Sequence, residues 1–155
     1  MQLLLVDDEE RFLSTTSKLL TQKGIKVFTA DSGSDALEIL IKEDIHVVVL
    51  DVKMPGMDGI ATLKEIKYRF PLIEVIMLTG HGSIESAVEG LKSGATDYLT
   101  KPVDIDVLIA KAKEAYVKHC RLEEKILMAQ SIYERRKAMY MKSPKAVLKV
   151  SDFKK

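Results

Sequence analysis

Five times in the first hundred residues, an apolar run of strand length is followed by a stretch with helical periodicity, and few architectures accommodate that rhythm. The runs are QLLLV (2–6), IKVFT (25–29), HVVVL (46–50), IEVIML (73–78) and TDYL (96–99). Between them, Phe12, Thr16, Leu19 and Leu20 share a helical face before Gly24. Ala36, Leu37, Leu40 and Ile41 share another after the capping candidate Ser32. Ile60, Leu63, Ile66 and Phe70 form a third stripe that stops at Pro71, and Ile84, Ala87, Val88 and Leu91 a fourth that stops near Gly94. The first and third runs are continuous rather than alternating, as expected of strands covered by helices on both faces. The alternation therefore predicts an α/β fold with a doubly wound, five-stranded parallel sheet. In such sheets ligands bind beyond the carboxyl ends of the strands, where the strand order reverses.

Four of the five predicted strands end beside residues with chemistry to offer. Asp7 and Asp8 follow the first strand, Asp51 the third, Thr79 the fourth and Lys101 the fifth. Asp and Thr often do no more than cap the next helix. Three carboxylates, a hydroxyl and a lysine on one edge exceed what capping requires. Clustered carboxylates repel one another, and such hard oxygen ligands suit Mg²⁺. A carboxylate held beside a cation can attack a phosphoryl group, while a lysine and a hydroxyl stabilise its oxygens.

Composition narrows the class. The chain has 155 residues, 46% hydrophobic and 30% charged, enough for one globular domain and a short appendage. No apolar run approaches the roughly 18 residues of a membrane span. The N-terminus lacks signal-peptide features and Cys120 is the single cysteine, so the expected compartment is cytoplasmic. The net charge of +1 hides an asymmetry: residues 119–155 carry ten Lys and Arg against four Asp and Glu, and residues 1–118 fourteen against nineteen. Such a split suggests two parts with different tasks.

VDDEE, VVVLDVKMPGMDG and VIMLTGHGSIESAVEGLKSGATDYLTKP, in that order and spacing, resemble the receiver domain of bacterial two-component response regulators. The last segment is similar in style to receivers of the nitrogen-regulatory, enhancer-binding subfamily. The resemblance covers residues 1 to about 118. It implies a flavodoxin-like (βα)5 fold with strand order 2-1-3-4-5, and a signalling protein that catalyses only its own phosphorylation and dephosphorylation. Asp51 would accept a phosphoryl group from a sensor histidine kinase or a histidine phosphotransfer protein. Asp8, Asp51 and the backbone carbonyl of Lys53 would bind Mg²⁺ directly, with Asp7 acting through water. Lys101, followed by a cis Pro102, would pair with the phosphoryl oxygens, Thr79 would hydrogen-bond them, and Tyr98 would be the aromatic switch. Lys53 and His81 flank the approach of hydrolytic water and are candidates for tuning the phosphorylation lifetime. Glu9 and Glu10 are read as first-turn residues favoured by the helix dipole and turned outward. The implied output is a change in the face formed by helix 4, strand 5 and helix 5, which also offers a homodimer surface.

Three segments follow: a receiver over 1–118, a helical extension over 119–142 and a basic, flexible tail over 143–155. Nothing stops the fifth helix until Ser143-Pro144, and Leu108, Ala112, Ala115, His119, Leu122, Ile126, Ala129, Tyr133, Arg136 and Tyr140 make a seam at coiled-coil spacing whose apolar character only His119 and Arg136 interrupt. Dimerisation or partner docking through this helix is the favoured reading, with a helix folded onto its own receiver the alternative. His119-Cys120 lacks the second ligand pair that a metal site needs. The basic residues of the extension are read as solvated charge, making nucleic-acid binding the lesser alternative, beside a role as phosphorelay intermediate or phosphate sink. No Walker motif, helix-turn-helix or second catalytic signature is visible. A phosphohydrolase of the haloacid dehalogenase type would need a second Asp two positions after the nucleophile, where Lys53 stands.

Overall fold

A computed structural model describes residues 1–53, 58–80 and 84–142. Five strands, β1 (Gln2–Val6), β2 (Lys26–Ala30), β3 (Val47–Asp51), β4 (Glu74–Thr79) and β5 (Asp97–Thr100), alternate with five helices, α1 (Glu10–Gln22), α2 (Gly33–Lys42), α3 (Gly59–Arg69), α4 (Ile84–Lys92) and α5 (Ile105–Met141). The sheet is parallel throughout, in the order β2-β1-β3-β4-β5. The expected doubly wound topology is present. The chain steps outward from β1 to β2 and returns across β1 to β3, so the order reverses between β1 and β3, where a crevice opens at the carboxyl ends.

Strand alternation divides the core in two. Leu4, Val6, Val48 and Leu50 face α2 and α3, meeting Leu40 and Leu63 among others. Leu3, Leu5, Val47 and Val49 face α1 and α5, meeting Leu20 and Leu108. With both sides covered, β3 and β4 are buried along their whole length, whereas the edge strands β2 and β5 remain partly exposed. Each fully buried Leu, Ile or Val contributes about 1.5–3 kcal/mol relative to exposure, so both layers are needed to hold the central strands.

Local chemistry sets the element ends. Ser32 caps α2 by accepting the Asp35 N–H at 3.2 Å, and Asp58 caps α3 by accepting the Ala61 N–H at 2.7 Å. Gly24, at φ +85°, turns the chain out of α1 in a conformation that a side chain would strain. After α3, Lys67 Nζ donates to the carbonyls of Pro71 and Ile73, both at 2.9 Å, closing the turn into β4.

Several helical stripes sit differently from their periodicity. In α1 the buried face is Leu13, Thr16 and Leu20, leaving Leu19 exposed and Phe12 at the rim. Ile41 of α2 is likewise exposed. The fourth stripe is largely unused: α4 packs on the sheet through Ala87 and Gly90, while Ile84, Val88 and Leu91 face solvent. Gly90 brings that helix against Met77, whose Cγ would lie 3.3 Å from an added Cβ.

The chain divides into two compact units, Met1–Cys120 and Arg121–Lys155. Within the first, Leu108, Ala112, Ala115 and His119 are buried among its own residues. The start of the expected coiled-coil seam is therefore core. His119 is no flaw in that seam: its Nδ1 lies 2.6 Å from the Leu72 carbonyl and its ring 5.2 Å from that of His46. Of the second unit, residues 121–142 are described, and its seam residues Ile126, Tyr133 and Tyr140 are exposed. The expected tail, residues 143–155, lies outside the described residues. Among the described residues, no helix is long and apolar enough to cross a membrane.

Gly59 opens α3 by donating its N–H to the Val52 carbonyl at 2.9 Å. A Cβ there would meet the Asp51 carbonyl oxygen and lie 2.5 Å from Val52 Cα. Backbone cannot yield as a flexible side chain can. Gly59→Ala is therefore expected to destabilise the protein by about 3 kcal/mol, read as a lower urea midpoint at unchanged m-value.

Candidate functional site

Asp7 and Asp8 are the first residues beyond β1, and Asp51 is the last of β3. The neighbouring register of these two strands brings the three carboxylates together at the crevice, each offering an oxygen within 4.8 Å of the others. Asp7 is completely buried, Asp51 nearly so and Asp8 exposed. The Asp7 N–H donates to the Ala30 carbonyl at 3.1 Å and its Oδ1 accepts the Glu9 N–H at 2.8 Å, so both backbone and carboxylate are fixed. Asp51 Oδ1 accepts the Lys53 N–H at 3.3 Å.

Lys101 reaches this cluster from the far side of β5. Its N–H donates to the Thr79 carbonyl at 2.7 Å, and the Lys101–Pro102 bond is cis, as the resemblance implied. Its Nζ lies 2.5 Å from Asp7 Oδ2 and 3.9 Å from Asp51 Oδ2. Thr79, buried at the end of β4, donates its hydroxyl to the Leu99 carbonyl at a long 3.5 Å. Leu78, its predecessor, pairs with Asp51, so Thr79 stands one step beyond the acidic residue. Tyr98 lies in mid-β5 with its ring partly exposed and its N–H donated to Asp97 Oδ1 at 2.8 Å. The Lys53 side chain is exposed, and His81 lies outside the described residues.

Two contributors were not anticipated. Glu9 precedes α1 without capping it, and its Oε1 lies 3.4 Å from Lys101 Nζ instead of turning away. Phe12 places its ring centroid 4.4 Å from the same ammonium. The only signal in the sequence was spacing: Phe12 comes four residues after Asp8, one helical turn along.

The charges act on one another. Burial raises the Asp51 pKa to about 6, the negative charge of Asp7 adds to the effect, and Lys101 and the Lys53 N–H offset part of it. Burial works against the Lys101 ammonium, but the Asp7 hydrogen bond and the charges of Asp51, Asp7 and Glu9 outweigh it, holding its pKa above that of an ordinary lysine. Three carboxylates offering only oxygen are a donor set that fits Mg²⁺, a hard cation that retains several waters.

Residues 3–113 match the response regulator receiver domain family. The chain belongs to that family. Its receiver is 45% identical over 115 residues to the transcriptional regulatory protein ZraR of Escherichia coli K12, covering 74% of this chain and 26% of that protein. A receiver domain protein from Clostridium thermocellum superposes with a TM-score of 0.75 at 37% identity, covering 78% of this chain and 98% of that one. NtrX from Brucella abortus does so with the same TM-score at 34% identity, over 81% of this chain and 29% of that one. The chain thus spans about a quarter of the length of the curated relatives it matches.

The raised Asp51 pKa has a sign that can be measured. Without metal, the folded receiver holds this proton more tightly than the unfolded chain, so the associated stability is present below pH 4 and is lost as pH rises through about 6. Urea unfolding in chelator should show that decline, and Asp51→Asn should remove it. Conversely, Mg²⁺ affinity measured calorimetrically should rise with pH through about 6 and level off above it.

Proposed function

We propose that this receiver is a cytoplasmic phosphoacceptor whose nucleophile is Asp51, supplied by a sensor histidine kinase or a histidine phosphotransfer protein. The observation that carries the reading is the convergence of Asp7, Asp8, Asp51 and Lys101 at the topological switch point. At neutral pH, above a pKa of about 6, Asp51 is ionised and can attack phosphorus. One carboxylate oxygen forms the P–O bond as the bond from phosphorus to the donor histidine nitrogen breaks, leaving an aspartyl phosphate. Asp8, Asp51 and the Lys53 carbonyl would hold Mg²⁺, with Asp7 acting through water. When bound, the ion supplies positive charge to the transferring oxygens.

Lys101 stabilises the new anion by shifting its ammonium from Asp7 toward the phosphoryl group on Asp51. Thr79, whose hydroxyl makes a long bond to the Leu99 carbonyl, turns that hydroxyl toward the same group. Tyr98, partly exposed at rest, can then rotate into the space that Thr79 leaves. The affected surface is that of α4, β5 and α5, where Ile84, Val88 and Leu91 are exposed. A protein partner or second copy reading that surface would convert phosphorylation into output. The exposed seam of residues 122–140 offers a second contact of the same kind.

Incubation with Mg²⁺ and acetyl phosphate should label Asp51 and leave Asp51→Asn unlabelled, as checked by mass spectrometry after borohydride reduction. Label on another residue, or none, would sink the proposal. Asp8→Asn should weaken Mg²⁺ binding at least about tenfold while leaving the thermal midpoint within a few degrees, because its side chain is exposed and its removal relieves like-charge repulsion.

A further inference from the structure

Among the described residues, four groups surround the Lys101 ammonium: Asp7 Oδ2 at 2.5 Å, Glu9 Oε1 at 3.4 Å, Asp51 Oδ2 at 3.9 Å and the Phe12 ring centroid at 4.4 Å. Asp51 is beyond hydrogen-bond reach, so at rest the ammonium sits on the Asp7 side. Service to a phosphoryl group on Asp51 requires it to cross that gap. Carboxylates hold it by directed bonds that must be exchanged during the crossing. An aromatic face holds it by a quadrupole and permits sliding across the ring. Phe12 lies at the rim of α1, partly buried against the core, while the fully buried face of that helix is Leu13, Thr16 and Leu20. Glu9 lies on the solvent side of the lysine, with its side chain 68% exposed, and has no capping bond to hold it.

We propose that Phe12 is a positioning residue that carries the Lys101 ammonium across the gap between Asp7 and Asp51, while Glu9 retains it on the Asp7 side. Together the two set how readily Lys101 reaches the phosphoryl group. The inference rests on the phosphoacceptor reading of Asp51.

The test uses the whole chain and the variants Phe12→Leu, Phe12→Tyr and Glu9→Gln. By NMR without phosphodonor, the Lys101 ε-methylene protons should show an upfield ring-current shift in the parent and in Phe12→Tyr, and lose it in Phe12→Leu. With acetyl phosphate and saturating Mg²⁺, Phe12→Leu should label Asp51 about fivefold more slowly at an unchanged half-saturating Mg²⁺ concentration, and Phe12→Tyr should restore the rate. Glu9→Gln, at an exposed position that does not threaten folding, should label about twofold faster. A parental rate in Phe12→Leu, an equal loss in Phe12→Tyr, or a slower Glu9→Gln would overturn the positioning role while Asp51 labelling stood. An unlabelled parent would instead overturn the phosphoacceptor reading beneath it.

Discussion

Repulsion among Asp7, Asp8 and Asp51 is the constraint around which this molecule is organised. Three carboxylates at such separation, two of them buried, disfavour the folded state unless positive charge reaches them. Among the described residues the counter-charge is Lys101, which follows β5 at the same carboxyl-end edge and lies 2.5 Å from Asp7. A proton on Asp51 is the other available relief: burial first, and then the charge of Asp7, raise its pKa to about 6. Metal, lysine and proton are therefore alternatives at one site, and each changes the hold on the others.

The sheet makes that arrangement rigid. β1 and β3 are adjacent, buried on both faces and locked in register, so neither Asp7 nor Asp51 can retreat from the other. Gly59 presses α3 against the backbone just after Asp51, closing a further route of escape. The β4–β5 edge is looser. Thr79 has a long hydrogen bond, Tyr98 is partly exposed, and α4 rests on the sheet through Ala87 and Gly90. A rigid charge cluster beside a lightly held edge suits the proposed switch, because strain created at one is relieved by movement of the other.

Helical periodicity located the helices and the buried stripe of α3, yet it misjudged some of the side chains that α1, α2 and α4 would bury. Leu19, Ile41, Ile84, Val88 and Leu91 all belong to apolar stripes and all are exposed. In α4 the residues packed on the sheet are Ala87 and Gly90, and their close approach sets which side chains face it. His119 shows the reverse case: a polar residue that periodicity treated as an intrusion is buried against Leu72 and His46. Its partners lie 47 and 73 positions away, beyond the range of any local pattern.

By itself, the order of residues determined the topology and the charged members of the site. Strand ends in a parallel sheet must share an edge, so Asp7, Asp8, Asp51, Thr79 and Lys101 could be placed together before any coordinate was known. Tertiary structure decided which contacts the members make: Lys101 on Asp7 rather than Asp51, the exposed Glu9 carboxylate within 3.4 Å of the same ammonium, and the Phe12 ring beside it. Strand and helix periods say which edge or face a residue occupies. They carry no information on how far a long side chain reaches, which is settled only when distant segments are packed and their charges compete.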